Sequence, residues 1–462
     1  MTTNEPLSTT LGAWASNIRF DDLPDDVVEA TKLRILDIVG LALAGAGTPF
    51  GRATRAAAVA MSPPGPCRVF GSGEAVGVTT AAFTNGSCAQ ALEYDDTHNE
   101  SIVHMSSPAV AASLAIAEIA PVSGRDLVAA IAVGNEISCR VGSVAPGQFH
   151  RRGFHPTGLF APFGVTYLAG RLLGLDAAQM ASAAGICGSF ASGILECWVD
   201  GTHPKFLHPG WAAQSGIAAA FLGREGMTGP AQVFEGRFGL FASHLQDPEA
   251  ARDFSRVTAG LGAKWDSRNS SLKPFPAAHV IHPYLDALLR LRAKAGFTPA
   301  DVERIDCPVA AFIVPIVCEP TAEKFAPSSD SHGRVSLQYS LAEALHIGAL
   351  GKNAYAPESL ANQEILALAR RVHYRVDPGF PGPGRFKGAV QVTLKDGRSL
   401  VEVEEYNRGS SENPMTYREI RDKFDENASG FLSQSARNRL ADQIGDVENM
   451  LSASALVSLT IG

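Results

Sequence analysis

The first half of the chain contains long stretches that are rich in alanine and glycine and apolar on most faces. They cover residues 108–120, 127–138, 158–174, 177–195 and 211–225. Helices of this kind are usually buried and pack closely against other helices. An earlier segment, from Pro24 to Leu41, repeats its apolar residues every three or four positions, which also predicts a helix. The first half therefore predicts a set of buried helices packed against one another.

The pattern changes near residue 265. Residues with β-branched side chains become frequent in 302–313 and 389–394, and Lys395-Asp396-Gly397 follows the second run as in a tight hairpin. Helical spacing predicts helices near 279–294, 336–350 and 358–371, and an amphipathic helical tail runs from Tyr417 to Leu451. Residues of about 270–405 therefore predict a smaller α+β unit.

The composition argues against several classes of protein. The formal net charge is −8, whereas binding of nucleic acid needs clustered positive charge. None of the seven cysteines forms a C-x-x-C pair, which disfavours structural zinc and iron–sulfur sites of the usual spacing. The N-terminus lacks a basic region followed by an apolar core, and no apolar run reaches the roughly 20 residues that span a bilayer. We therefore expect a cytoplasmic protein that binds neither nucleic acid nor a membrane.

The first candidate segment, residues 92–104, contains three carboxylates and two histidines. It begins Leu-Glu-Tyr-Asp-Asp-Thr-His, with Glu93, Asp95, Asp96 and Thr97, and it reaches His104. It lies between two predicted helices, so we expect a helix end and a loop. The Asp-Asp-Thr sequence is also typical of a helix N-cap, which would be a structural role. Metal binding is a third interpretation, but no helical H-x-x-x-H pair supports it.

A second segment places two arginines and a histidine at the start of the helix predicted at 158–174. Arg151 and Arg152 precede His155, and Pro156 suits the first helical turn. The free N–H groups and the dipole of a helix N-terminus attract anions. The alternative is an exposed loop with solvated charges.

Two further segments place a lysine among apolar residues. Lys205 lies just before the helix predicted at 211–225, where its amine must either reach water or hold a partner. Lys273 lies at the expected junction of the two units, where pockets tend to form, and it is followed by His279 and His282. A proline-rich hinge is the alternative for this junction.

Together these groups suit an anionic substrate. Lysine and arginine bind carboxylates, and histidine transfers protons near neutral pH. The sequence contains no G-x-S-x-G, no Walker A sequence and no G-x-G-x-x-G after a predicted strand, which disfavours serine hydrolases and enzymes that use ATP or nicotinamide. The residues fit an enzyme that removes a proton from carbon beside a carboxylate.

The chain resembles the MmgE/PrpD family at segments that follow one another in the family's order: KLRILDIVGLALAG, LEYDDTH, GFHPTG, KFLHPGWAAQSGIAAAFLGREGMTGP, FEGRFG, LKPFPAAHVIHP and SLQYSLAEAL. This family includes 2-methylcitrate dehydratase, cis-aconitate decarboxylase and iminodisuccinate epimerase. The resemblance implies a mainly α fold, with a large all-helical domain (residues 1–268 and 410–462) and a smaller α+β lid domain (269–409). It also implies a homodimer, no metal or organic cofactor, and an active site between the domains.

By this resemblance, five residues match positions of the decarboxylase site: Thr97, His104, His155, Lys205 and Lys273. Glu93 stands where the decarboxylase has an aspartate, which keeps the charge and lengthens the side chain.

The sequence departs from the family at two places. The family's His-Pro-Ser reads His104-Met105-Ser106, and Ala278 stands where the decarboxylase has a histidine. His279 or His282 is the candidate for the missing histidine, although His282 matches a different family position. These departures weigh against decarboxylation in particular.

We expect His104 to be the general base or acid, and Asp95 or Asp96 to orient a histidine. Lys205, Lys273 and the helix start at His155 are expected to stabilise negative charge that develops on the substrate. The expected substrate-binding residues are Glu93, Thr97, His279, His282 and Arg152.

The function expected first is that of a lyase, similar to 2-methylcitrate dehydratase, acting on a small di- or tricarboxylic acid. The alternatives are an isomerase similar to iminodisuccinate epimerase, an enzyme similar to cis-aconitate decarboxylase, and a polycarboxylate-binding protein without catalytic activity.

Overall fold

The computed structural model describes residues 5–382 and 384–461, and helices dominate them. The helices are α1 (Leu7–Asn17), α2 (Asp25–Ala46), α3 (Pro49–Met61), α4 (Val78–Gln90), α5 (Ser106–Ala117), α6 (Gly124–Gly142), α7 (Gln148–Arg151), α8 (Pro156–Leu172), α9 (Ala177–Cys187), α10 (Cys197–Asp200), α11 (His208–Arg224), α12 (Leu240–Leu245), α13 (Ser255–Thr258), α14 (His282–Ala295), α15 (Thr321–Phe325), α16 (Asp330–Arg334), α17 (Leu337–Ile347), α18 (Pro357–Leu360), α19 (Gln363–Ala369), α20 (Tyr417–Ala428), α21 (Gln434–Gly445) and α22 (Ser454–Ser458).

The strands are β1 (Cys67–Arg68), β2 (Ala75–Val76), β3 (Thr97–His98), β4 (Ser270–Ser271), β5 (Val302–Val309), β6 (Val372–Val376), β7 (Gly388–Leu394) and β8 (Ser399–Glu404). The last four form a sheet in the order β6-β5-β7-β8, in which β5 and β6 are parallel and the other neighbours antiparallel. The hairpin prediction is confirmed, because β7 pairs with β8 around a turn in which Gly397 has a φ of +87°. The predicted mainly α fold with a smaller sheet-containing part is confirmed as well.

Two predicted helices differ from the observed ones. The helix predicted at 177–195 ends at Cys187, and the chain continues through a glycine- and serine-rich segment in which Gly193 has a φ of +148° that only glycine adopts readily. The helix predicted at 358–371 is split into α18 and α19. Asn362 caps the start of α19, since its side chain accepts hydrogen bonds from the backbone N–H groups of Glu364 and Ile365.

The buried apolar residues form two hydrophobic clusters. The larger draws on residues 11–265 and 420–457, so that the helices near the C-terminus pack with those of the first half. The smaller draws on residues 275–394 and packs α14 and α17 with the sheet. The domain boundaries at 268/269 and 409/410 stay predictions. Within the described part of the chain, the helices are all too short or too polar to span a lipid bilayer.

Contacts at the junction of the two clusters bring distant segments together. Thr97 of β3 lies opposite Ser271 of β4. Arg334, from α16 of the second half, donates hydrogen bonds to the carbonyls of Leu92 (2.8 Å) and Pro276 (3.0 Å). Residues 92–98 and 270–276 are therefore held side by side, although they are far apart in sequence.

Candidate active site

A cavity of about 210 Å³ lies at this junction. Its lining combines charged and imidazole side chains with apolar ones: Glu93, Thr97, Asn99, Ile102, His104, Gly147, His150, Arg151, His155, Trp198, Lys205, Lys273, Ala278, His279, Val280, Phe312, Ile316, Val335 and Phe386.

The backbone at Glu93 is held in an unusual conformation. Its φ is +53°, which L-residues with a long side chain rarely adopt and which persists only where the surroundings enforce it. The carbonyls of residues 92–94 accept hydrogen bonds from three different buried cations, Arg334 (2.8 Å), Lys273 (3.0 Å) and Lys423 (2.9 Å), respectively. Cations from three distant parts of the chain thus fix the segment that carries the Glu93 side chain.

Two buried lysines converge on the Glu93 carboxylate. Lys205 Nζ lies 2.5 Å from Oε2, and Lys273 Nζ lies 3.2 Å from Oε1. Burial alone would raise the pKa of Glu93, but Lys205, Lys273 and His104 together hold that pKa well below its usual range. Glu93 is therefore ionised at neutral pH, and the two ammonium groups are kept at the same end of the cavity.

His104 is fixed through one ring nitrogen and faces the cavity with the other. Its Nδ1 lies 3.0 Å from Oδ1 of Asp95 and 3.4 Å from the Thr97 hydroxyl, while its Nε2 lies 3.8 Å from Oε1 of Glu93. The other Asp95 oxygen accepts a hydrogen bond of 2.7 Å from the Ser107 hydroxyl. Burial would raise the pKa of Asp95, but His104 holds it below its usual value. Asp95 and His104 thus form a close carboxylate–imidazole contact, and the second ring nitrogen can take or give a proton at the cavity.

The neighbouring Asp96 points away from the cavity. It accepts a hydrogen bond of 2.7 Å from the Ser106 hydroxyl at the start of α5, and Arg34 Nε lies 3.4 Å from its carboxylate. Arg34 also donates to the carbonyl of Ser267 at 2.8 Å. Asp96 and Arg34 together therefore connect the first turn of α5 to the turn that precedes β4. Of the two aspartates, Asp95 is the one that contacts His104. Neither aspartate is the N-cap residue of α5, which is Met105, but Oδ1 of Asp96 accepts a hydrogen bond of 3.3 Å from the backbone N–H of Ser106, the first residue of that helix.

His155 precedes α8, as predicted, and pairs with a second imidazole. Its Nδ1 lies 2.8 Å from Nδ1 of His208, the first residue of α11. Burial lowers the pKa of both rings, that of His208 to about 4, and Lys205 lowers both further. Both imidazoles are therefore neutral at pH 7. Among the described residues, the buried Nε2 of His155 has no hydrogen-bond partner, and the residue lines the cavity.

The remaining predicted binding residues divide into two groups. His279 lines the cavity, and its Nε2 lies 2.8 Å from the side-chain nitrogen of Asn407. In the described part of the chain, neither His282 nor Arg152 belongs to the lining. His282 binds the carbonyl of Ala277 at 2.9 Å, and Arg152 pairs with Asp247 on the outside at 2.9 Å.

Several lining residues were not among the expected catalytic or binding residues. Arg151 lies at the cavity instead of Arg152, and half-buried His150 packs against Trp198 with ring centroids 5.2 Å apart. Asn99 also lines the cavity. The two arginines are adjacent in sequence, and only the short helix α7 (Gln148–Arg151) decides which of them faces inward. The apolar lining residues of the second half, such as Phe312, carry no chemical signature that a motif search could detect.

Comparisons with known proteins agree with the resemblance seen in the sequence. The model of the MmgE/PrpD N-terminal domain matches residues 9–253, and that of the MmgE/PrpD C-terminal domain matches residues 275–448. A cis-aconitate decarboxylase of Aspergillus terreus is 29% identical over 96% of this chain and 94% of its own length. A cis-aconitate decarboxylase-like protein of Aspergillus oryzae is 27% identical (97% and 96%), and the cis-aconitate decarboxylase of Mus musculus is 26% identical (96% and 91%). The chain belongs to the MmgE/PrpD family.

Proposed function

We propose that this protein is a lyase that acts on a small di- or tricarboxylic acid, and that His104 moves the proton at the carbon beside a carboxylate. The observation that carries the proposal is the Asp95–His104 pair, which opens on a cavity whose charged end holds Lys205 and Lys273. The lysines supply charge stabilisation where an enolate-like species would form. The relatives that match nearly the whole chain are named as decarboxylases, which are lyases, and this also supports the proposal.

In a dehydration, Nε2 of His104 would take the proton from the carbon beside a carboxylate. The electron pair of that C–H bond would form the C=C bond as the C–O bond to the neighbouring hydroxyl breaks. The hydroxide would leave as water, with a proton from a donor such as Nε2 of His155. Lys205 and Lys273 would stabilise the negative charge on the carboxylate during the transfer.

Decarboxylation is the second candidate, because the full-length relatives carry that name. The C–C bond to one carboxylate would break, carbon dioxide would leave, and the electron pair would be delocalised onto the remaining unsaturated acid. His104 would then deliver a proton to the carbanion. The same pair of residues serves both reactions, but His104 begins as a base in the first and as an acid in the second.

Proton NMR in heavy water distinguishes these reactions. The protein is incubated with 2-methylcitrate, citrate, cis-aconitate and iminodisuccinate-like acids. A new vinyl signal from citrate, or a new allylic methyl singlet from 2-methylcitrate, indicates dehydration, and loss of carbon dioxide from cis-aconitate indicates decarboxylation. Exchange of one proton with inversion, and without a new C=C bond, would identify an epimerase instead. Tight binding of an acid with no reaction and no exchange would identify a binding protein and contradict the proposed lyase.

The variant Lys205→Ala tests the charged end of the cavity. Removing one stabilising group of this kind costs about 100-fold or more in turnover. The matched control is Lys294→Ala, because Lys294 is exposed and pairs with Glu402 far from the cavity. Near-normal turnover of Lys205→Ala would remove Lys205 from the mechanism.

A further inference from the structure

The two sides of the cavity differ in chemistry. The side from the first half and the junction carries Glu93, Lys205 and Lys273. The larger apolar lining residues of the second half form what we call the lid wall: Val280, Phe312, Ile316, Val335 and Phe386. Phe312 and Ile316 project from two consecutive helical turns, Ala311–Ile313 and Val314–Cys318. A bound molecule would therefore contact both the paired lysines and the hydrocarbon of the lid wall.

The charges at the cavity limit how many substrate carboxylates it can neutralise. Leaving the imidazoles aside, the described lining residues provide three cations, Lys205, Lys273 and Arg151, and one carboxylate, Glu93. Two positive charges remain for a substrate, and Arg151 is exposed at the mouth. The negative charge of Asp95, directly behind His104, lowers the local potential further. The cavity therefore suits two carboxylates better than three.

A third carboxylate would have to lie against the lid wall. There it would lose its hydration without gaining a cation, which is strongly unfavourable for an ionised group. A hydrocarbon group in the same place would bury apolar surface on both partners, which is favourable. We propose that the substrate is a dicarboxylic acid whose third substituent is a hydrocarbon group seated on the lid wall. This inference rests on the proposed function, because it places the reacting acid in the same cavity.

Binding of three unreactive acids tests the inference without relying on turnover. Succinate, isobutylsuccinate and propane-1,2,3-tricarboxylate share one backbone and differ in a single substituent: hydrogen, an isobutyl group or a carboxymethyl group of similar shape. None carries a hydroxyl group to eliminate. By isothermal titration calorimetry on the full chain, we expect isobutylsuccinate to bind about 10-fold or more tightly than either of the other two, since pocket contacts to one small apolar group give differences of roughly this size.

The variant Phe312→Ala tests whether the lid wall causes the preference for isobutylsuccinate. It should weaken the binding of isobutylsuccinate about 10-fold and leave that of succinate nearly unchanged. Phe238→Ala is the control, because Phe238 is exposed, belongs to the first half of the chain and does not line the cavity in the described part of the chain. Ile316→Lys, which adds a cation to the lid wall, should shift the preference toward propane-1,2,3-tricarboxylate.

The outcomes separate this inference from the proposed function. Equal binding of the three acids, or tightest binding of the tricarboxylate to the unaltered protein, would overturn the inference even if the NMR experiment showed a lyase. Tight binding of isobutylsuccinate that Phe312→Ala abolishes would support it even if no lyase activity were found, and the failure would then lie with the proposed reaction. If Phe312→Ala does not fold, the ratios measured on the unaltered protein still decide the question.

Discussion

Two histidines face the cavity with similar ring positions but different partners. The ring centroids of His104 and His155 are 5.6 Å apart. Behind His104 stands the carboxylate of Asp95, whereas behind His155 stands the neutral imidazole of His208. A carboxylate stabilises positive charge on the ring that it contacts, and a neutral imidazole does not.

This difference assigns different chemistry to the two rings. The Asp95–His104 pair is arranged to accept a proton on Nε2 and to hold the resulting charge. His155 is kept neutral by burial and by the positive charge of Lys205. A neutral imidazole acts as a hydrogen-bond donor or acceptor according to which nitrogen carries its proton. The comparison therefore makes His104 the group that takes the substrate proton and holds the resulting charge, and His155 a neutral group that can donate to the leaving hydroxyl.

The largest effect is expected for His104→Asn. This variant removes the proton carrier, so turnover should fall about 1,000-fold, within the range that general acid–base catalysis contributes. Exchange of substrate protons with heavy water, followed by NMR, should stop, and the circular dichroism spectrum should be unchanged.

His203→Asn is the control for this variant, because His203 is partly exposed and lies close to Asp330 rather than at the cavity. It should retain full activity. Continued proton exchange in His104→Asn would show that another group is the base, and it would reverse the assignment of the two rings.

The next largest effect is expected for Asp95→Asn, at about 100-fold in turnover, because the amide keeps the shape but no longer stabilises a charged His104. Asp96→Asn is the matched comparison. Asp96 contacts Ser106 and Arg34 and does not face the cavity. Its replacement should therefore lower the thermal unfolding temperature and leave turnover nearly unchanged. If Asp96→Asn lost as much turnover as Asp95→Asn at unchanged stability, Asp95 would not be the specific partner of His104.

A smaller effect is expected for His208→Ala. Without its Nδ1 partner, His155 would occupy either tautomer, and turnover should fall about 10-fold with little change in KM. His208→Gln should restore most of this loss, because a glutamine amide both donates and accepts hydrogen bonds. A merely structural role for His208 would instead lower stability in both variants and leave the ratio of kcat between them near one.

Much of the fold follows from local patterns, and so does the identity of most groups at the cavity. Small apolar residues predicted buried helices, and Asp396-Gly397 predicted the observed turn between β7 and β8. Lys205 and Lys273 stood out because a charge among apolar residues needs a partner, and in the structure they share one.

The sequence could not decide between adjacent residues. Asp95 and Asp96, like Arg151 and Arg152, are equivalent by composition, and their directions depend on how the backbone turns. The direction of the backbone at the two aspartates results from the positive φ of Glu93, and cations from distant segments hold Glu93 in that conformation. A long-range cause of this kind leaves no mark in a short motif. The lid wall could not be predicted from the sequence either, because its apolar residues are of the same types as those of the hydrophobic core.

The smallest effect is expected for His98. This histidine does not line the cavity in the described part of the chain, so it tests how far burial lowers the pKa of an imidazole in this protein. It is buried, its Nδ1 lies 2.7 Å from the Ser101 hydroxyl, and burial, aided by Arg256 and Arg34, lowers its pKa from 6.5 to about 4. The unfolded chain binds a proton at His98 below pH 6.5, whereas the folded chain binds it only near pH 4. The stability associated with neutral His98 is therefore present above pH 6.5 and is lost as the pH falls toward 4.

From these two pKa values, the loss between pH 7 and pH 5 is roughly 2 kcal/mol in the free energy of unfolding. Urea unfolding of His98→Gln should show a pH dependence that is smaller by about this amount, with turnover at pH 7 nearly unchanged. An unaltered pH dependence would mean that burial lowers the pKa of an imidazole in this protein much less than we infer. The neutrality of His155 would then need its neighbours Lys205 and His208 rather than burial as its main cause.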